Sequence, residues 1–403
     1  MQQQGMGGAA TGSGEAGGSD DPLRDTWSSV EAVVSTGHQQ SPQSPQHPPQ
    51  SPQHPPQQLP GPLPPQQPHA AAPPFAAPAT PAHAPVAAPA PEPVAGASQP
   101  VPQLGDPRHS GKRPPSYAPV PQGLRSVGED PAAAALPDIV VDGAAYGPLT
   151  VRAASVRGDS HRYLGEPRQD ALCVTRIGGP DTGELLLLAV ADGVGSAARS
   201  HVGSNEVCRH AAVYLDRVAG DLLGALRSDD LPAFTALANE AVGNIAVLLA
   251  DLAHREGHRP EAYATTLRIL LVPLDPAVRT RGFMAVGDGG TALLRSGAWH
   301  LDVTQEEDPE ASGMIDTRTA ALPLARTAVT RLLGPAAPGD VLVLSTDGLS
   351  TPLSGDQGMR EFLSGAWGTG TVPGPADFLW QSQFRVKSYD DDRSVVVLWE
   401  CPA

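Results

Sequence analysis

Leu185-Leu186-Leu187-Leu188-Ala189-Val190-Ala191-Asp192-Gly193-Val194-Gly195-Ser196 is an unbroken apolar run that ends on an acid and a glycine. It reads as a strand buried on both faces, stopped by an Asp-Gly turn. Val341-Leu342-Val343-Leu344-Ser345-Thr346-Asp347-Gly348-Leu349-Ser350 repeats the pattern, so each strand delivers one carboxylate at its end. Gly287-Asp288-Gly289-Gly290 repeats it more loosely after Gly282–Val286, and Asp390-Asp391-Asp392 reverses it by preceding Ser394–Trp399. If that last strand runs antiparallel to its neighbours, the acidic sites meet at one edge. A single Asp-Gly is a turn signal, but several acids at strand ends call for a further reason. Gathering carboxylates without counter-charge is costly unless cations occupy the site, and no Lys or Arg is interleaved at Asp192, Asp288 or Asp347. Oxygen-only ligands suit hard cations such as Mg²⁺ or Mn²⁺. Glycine after the acid leaves room for the Gly193 carbonyl to approach a metal that Asp192 holds.

Around these runs lie further β-like segments at Leu149–Ser155, Ala171–Arg176, Glu184–Val190, Thr265–Val272 and Ala292–Leu294. Two stretches have helical period: Val207, Ala211, Leu215, Val218, Leu222 and Leu226, then Phe234, Leu237, Ala241, Ile245, Leu248 and Leu252. Strands on both sides of a long helical pair predict sheets covered by helices, not a strictly alternating parallel fold. This texture begins at Asp138. Before it, 30 of the 45 prolines fall at or before Pro137, among Ala, Gln and Gly with few large aliphatic residues. Such a segment cannot offset a backbone ordering cost of roughly 1–2 kcal/mol per residue. The reading is therefore a disordered low-complexity tail over 1–137 and one catalytic-sized domain over 138–403. The tail repeats Ser-Pro-Gln-His-Pro-Pro-Gln at Ser44–Gln50 and Ser51–Gln57, and its PxxP spacings could dock on an aromatic groove of a partner. Its basic patch, Arg108-His109-Ser110-Gly111-Lys112-Arg113-Pro114-Pro115-Ser116, carries serines open to phosphorylation and otherwise reads as a solvated linker.

Charge and cysteine usage exclude several classes. From Asp138 on, 22 Lys and Arg face 34 Asp and Glu, a net of −12, opposite in sign to a nucleic-acid reader. Cys173, Cys208 and Cys401 are too few and scattered for a disulfide framework or a zinc site, and Cys173 and Cys208 read as core residues. The opening Met1–Gly5 has no basic flank and no run of about 18 apolar residues occurs, so a cytoplasmic protein without a membrane partner is expected.

In order, Gln169-Asp170-Ala171, Ala191-Asp192-Gly193-Val194-Gly195, Thr265-Thr266, Gly287-Asp288-Gly289, Ser345-Thr346-Asp347-Gly348-Leu349-Ser350 and Asp391-Asp392-Arg393-Ser394-Val395-Val396-Val397 resemble the motifs of the metal-dependent protein phosphatase 2C family, especially its bacterial serine/threonine phosphatases. The resemblance covers roughly residues 150–400. It implies an α+β fold, an α/β/β/α sandwich of two antiparallel sheets flanked by helices, with a dinuclear Mn²⁺ or Mg²⁺ centre at one edge. By position, Asp192 is similar to the carboxylate that bridges both metals, with the Gly193 carbonyl on one of them, and Asp347 and Asp391 to ligands of the other. Asp170 resembles the acid that orients the attacking water, and Asp288 one that helps hold a third, weaker metal. The implied reaction is hydrolysis of phosphoprotein monoesters by in-line attack of a metal-bridging hydroxide.

The chain departs from that pattern in places. Where the family usually carries a phosphate-gripping arginine, five residues before the first motif aspartate, this chain has Gly165. His161, Arg162 and Arg168 lie nearby in Ser160–Arg168, and His161 and then Arg168 are the candidates to replace it. Gly287-Asp288-Gly289-Gly290 lacks the usual serine and arginine after its aspartate, and Asp392 stands where asparagine is usual. Two rival functions share these residues: a phosphatase-like binding protein or scaffold with little turnover, and a phosphatase of small metabolites.

Overall fold

The computed structural model describes residues 105–119, 124, 126–128, 130–304 and 320–402. The heptapeptide repeat and the PxxP spacings lie outside them. After a short α1 (Pro131–Ala135), the strands are β1 (Ile139–Tyr146), β2 (Leu149–Val156), β3 (Ala171–Gly179), β4 (Gly183–Ala191), β5 (Leu267–Pro273), β6 (Arg281–Val286), β7 (Gly290–Arg295), β8 (Ala298–His300), β9 (Val329–Leu333), β10 (Val341–Ser345) and β11 (Arg393–Glu400). They form two antiparallel sheets, β1-β2-β11-β10-β7-β8 and β3-β4-β5-β6-β9. The helices are α2 (Asp159–Leu164), α3 (Ser200–Arg217), α4 (Ala219–Arg227), α5 (Leu231–Arg255), α6 (Asp347–Gly355), α7 (Gln357–Trp367) and α8 (Pro375–Ser382).

The layering follows from β4. Its Leu185, Leu187, Ala189 and Ala191 pack with α3, α4 and α5, while Leu186, Leu188 and Val190 face the other sheet. A strand buried on both faces needs apolar residues at every position, which is why this run does not alternate. β10 divides likewise: Leu342 and Leu344 join the layer between the sheets, and Val341 and Val343 pack under α6, α7 and α8 with Trp367 and Phe378. The result is the expected α/β/β/α sandwich. The two helical stretches become three helices, because the first breaks at Val218, the C-cap of α3 and the N-cap of α4. β1, with an exposed and half-buried pattern, and the helices from Asp347 to Ser382 are additions to the sequence reading.

Register sets where the acids go. The first residue of β3, Ala171, pairs with the last of β4, Ala191, so Asp170 and Asp192 flank one rung. The last residue of β10, Ser345, pairs with Val395 near the start of β11, so Asp347 and the 390–392 turn share the same end. At the opposite end of the sandwich, Arg281 opens β6 in one sheet and Glu400 closes β11 in the other. The Arg281 guanidinium donates from Nε and Nη2 to Glu400 Oε1 at 2.9 and 2.7 Å, with both residues buried.

Residues 105–119, upstream of the domain boundary expected from composition, lie on this unit. Ser110 N–H donates to the Arg385 carbonyl and Arg385 N–H to the Arg108 carbonyl, each at 2.9 Å.

Candidate metal centre

Backbone and hydroxyl partners fix the acids at this edge but leave one buried oxygen each on Asp170 and Asp347 without a hydrogen bond. The Asp192 N–H donates to Thr266 Oγ1 at 3.0 Å, and its carbonyl accepts from Thr266 N–H and Thr265 Oγ1, both at 2.8 Å. Thr265-Thr266 thus fixes the backbone of the β4 end. Gly193 is buried, and a Cβ there would meet the Gln169 carbonyl oxygen and Ser200 Cβ at 2.8 Å. Gly193→Ala is therefore expected to displace the 192–193 turn and weaken Mn²⁺ binding by about tenfold, equivalent to about 1.4 kcal/mol. Titration calorimetry measures this, and an unchanged affinity would mean that the turn relaxes freely.

Asp170 accepts from Thr346 Oγ1 at 2.8 Å through Oδ2, while its Oδ1 is buried with no hydrogen-bond partner. Asp347 Oδ1 is buried and orphaned in the same way. Burial, then the charges of Asp170 and Asp347, push the Asp192 carboxyl up to about 11. Asp170 is driven well above the usual carboxylate range by burial and by Asp392, and Asp391 is raised by lost hydration and then by Asp392. A group of acids that favour protons so strongly, with orphaned oxygens directed inward, is the signature of missing positive charge. Oxygen donors fit a hard divalent metal.

Asp392 is different. It is buried, yet it accepts from Gly158 N–H at 2.6 Å, Gln169 N–H at 2.5 Å and His161 Nδ1 at 2.9 Å. Burial alone would raise its pKa, but the His161 bond and charge and the backbone donors hold it below the usual range. An ionised carboxylate only accepts, so His161 carries its proton on Nδ1 and turns Nε2 toward Glu166 Oε2, 3.6 Å away, and Asp391 Oδ1, 3.7 Å away. Burial tends to lower the His161 pKa, but Asp392, with help from Asp391 and Glu166, raises it to about 9. The structural role of Asp392 was visible in sequence only as a departure from the usual asparagine.

The other two candidates sit elsewhere. Arg168 is 3% exposed and donates to Ser155 Oγ and the Asp170 carbonyl, both at 2.5 Å, so its guanidinium braces the β3 entry from inside. Asp288 shares its corner with Arg268, a buried β5 arginine on which the charges of Asp302 and Asp288 act. Arg268 follows the Thr265-Thr266 motif by two residues on β5, where the sequence reading saw only a strand. Beside that corner, a cavity of about 270 Å³ opens between β7 and α6, lined by Gly290, Asp302, Ser345 and Ser350. Cys208 is buried and Cys173 half-buried in the helix-covered core.

Solved structures of similar shape include PppA of Pseudomonas aeruginosa, described as a key regulatory component of T6SS, at 17% identity and TM-score 0.40 over 64% of this chain and 99% of that one. The catalytic domain of the serine/threonine phosphatase PstP, in complex with two manganese ions, is 23% identical with TM-score 0.40, over 62% of this chain and 97% of that one. The Mycobacterium tuberculosis phosphatase PstP/Ppp is 22% identical with TM-score 0.41, over 64% and 98%. No curated protein sequence matches. The assignment rests on the protein phosphatase 2C family model, which matches residues 157–379, more than half of the chain. With its two-sheet sandwich and the acids gathered at one end, this chain belongs to the protein phosphatase 2C family of metal-dependent serine/threonine phosphatases.

Proposed function

We propose that the chain hydrolyses phosphoserine and phosphothreonine esters of proteins at a dinuclear Mn²⁺ or Mg²⁺ centre held by Asp192, the Gly193 carbonyl, Asp347 and Asp391. The observation that carries this is the uncompensated acidic edge, with buried, unpartnered oxygens on Asp170 and Asp347. When bound, paired divalent cations make a water acidic enough to attack phosphorus near neutral pH and offset charge on the phosphoryl oxygens. Asp192, placed between the acids of both sheets, would be the ligand that both ions share. Asp170, fixed by Thr346 through one oxygen, keeps the other to orient the attacking water. Asp288 remains the candidate for a third, weaker ion. His161, clamped by Asp392, directs an N–H from Nε2 at the substrate phosphoryl group, in the role left open by Gly165. Arg168, with Nε and Nη1 already engaged, supports the site from behind.

Phosphate release from a phosphopeptide is expected only with Mn²⁺ or Mg²⁺; equal turnover in excess EDTA would overturn the proposal. His161→Ala is expected to raise KM with little change in Mn²⁺ affinity. Protons compete with metal for these carboxylates, which gives a second readout. An acid whose folded pKa is raised binds more protons folded than unfolded, so between its unfolded value and about 11 for Asp192 the metal-free protein loses stability as pH rises. Metal removes that loss. The Mn²⁺-induced rise in Tm should therefore be larger at pH 8 than at pH 5.5, and a pH-independent rise would contradict a carboxylate site.

A further inference from the structure

α2 has six residues and carries His161. Isolated helices shorter than about 12 residues are marginal in water, so its position has to come from outside. Two of the groups that hold it are attached to residues 105–119. The Arg385 guanidinium donates from Nε to Asp159 Oδ2 at 2.7 Å and from Nη2 to the Tyr117 carbonyl at 2.5 Å, so one buried side chain ties the first residue of α2 to the upstream segment. Arg162 of α2 donates to the Pro119 carbonyl at 3.3 Å, and the Tyr117 and Tyr163 rings are 5.2 Å apart.

The far end of the segment is anchored on α7 and α8. Arg108 places its guanidinium 5.7 Å from both the Phe362 and Trp380 rings, and Trp380 Nε1 donates to the Gly105 carbonyl at 2.8 Å. Ser110 Oγ donates to Asp356 Oδ2 at 2.8 Å, and Asp356 caps α7 through its other oxygen. Backbone bonds to Arg385 join the two ends.

We infer that residues 105–119 are an intramolecular strap that positions α2, and that Arg385 is the positioning residue through which the strap fixes His161 for substrate. The consequence for substrate rests on the role given to His161 above, whereas the hold on α2 does not. The strap ends far from the metal ligands in sequence and touches none of them, so its loss should change substrate binding before metal binding. Ser110, half-buried against Asp356, is its release point. A carboxylate at position 110 would face Asp356 at hydrogen-bond range with no proton to donate.

The test uses the full chain. Ser110→Asp, combined with Arg108→Ala, is compared with Ser110→Thr, which keeps the hydroxyl, and with Arg385→Ala and His161→Ala. Hydrogen exchange over the segment containing Ser110 reports docking of the strap, and exchange over 159–166 reports α2. The expected result is faster exchange in both segments and a KM increase of about fivefold in the double variant, with Mn²⁺ affinity kept and Ser110→Thr unaffected. Arg385→Ala should do the same if it folds, but the conclusion does not depend on it. A strap that exchanges freely while α2 stays protected would overturn the inference, as would no change in the strap itself. So would loosened α2 with unchanged KM where His161→Ala raises KM. If His161→Ala leaves KM unchanged, the reading of His161 fails instead, and the exchange of α2 alone decides whether the strap holds it.

Discussion

Asp192→Asn is expected to lower phosphate release by about a thousandfold or more, because in its proposed role as shared metal ligand Asp192 would support several kcal/mol of transition-state stabilisation and each 1.36 kcal/mol is a factor of ten. The substitution keeps shape and removes one negative charge. Its second effect has the opposite sign. Asp192 is strained by burial beside Asp170 and Asp347, so the metal-free variant should melt at or above the metal-free wild type. Lost turnover with retained or increased metal-free Tm separates a lost metal ligand from a lost fold. Turnover within tenfold of wild type would remove Asp192 from the centre.

Glu400→Ala is expected to destabilise the domain by about 3–5 kcal/mol, since it leaves the buried Arg281 guanidinium without its carboxylate. For a domain of this size that is a fall in Tm on the order of 10 °C. Arg279 reaches Glu400 only at 3.9 Å and half-exposed, so it adds little. Replacing both partners with apolar residues, Arg281→Met with Glu400→Leu, should recover most of the loss, because two desolvated charges then disappear together. Calorimetry in Mn²⁺ gives both values, and a single-variant loss under about 1 kcal/mol would mean that water reaches the arginine.

Sheets covered by helices were legible because β4 and β10 are buried on both faces and so show unbroken apolar runs ending on acids, whereas the α/β/β/α order came from the family resemblance. β1 was not legible, since an edge strand facing solvent needs no such pattern. At the site, Asp170, Asp192, Asp347 and Asp391 are brought together because antiparallel register puts strand starts beside strand ends. Arg268 and Thr346 escaped the reading for different reasons. Arg268 reaches the Asp288 corner from another strand, and Thr346 works through a hydroxyl that no charge pattern reveals. Composition also places the start of the ordered unit too simply: Arg108 and Ser110 sit in a proline-rich context, yet their contacts to Trp380 and Asp356 are tertiary and leave no local trace.

The two sheets are closed differently at their two ends. At one, Arg281 and Glu400 complete a neutral bridge from β6 to β11. At the other, Asp192 from β4 faces Asp347 and Asp391 from the opposite sheet, with like charge on both sides. Only hydrogen bonds such as Thr346 to Asp170 and Gln169 to Asp392 join the sheets across that acidic rim among the contacts named above, so a metal held there would act as a latch supplied from solution. Chelation is then expected to loosen the rim before the bridged end, read as faster hydrogen exchange over 191–193 than over 398–400.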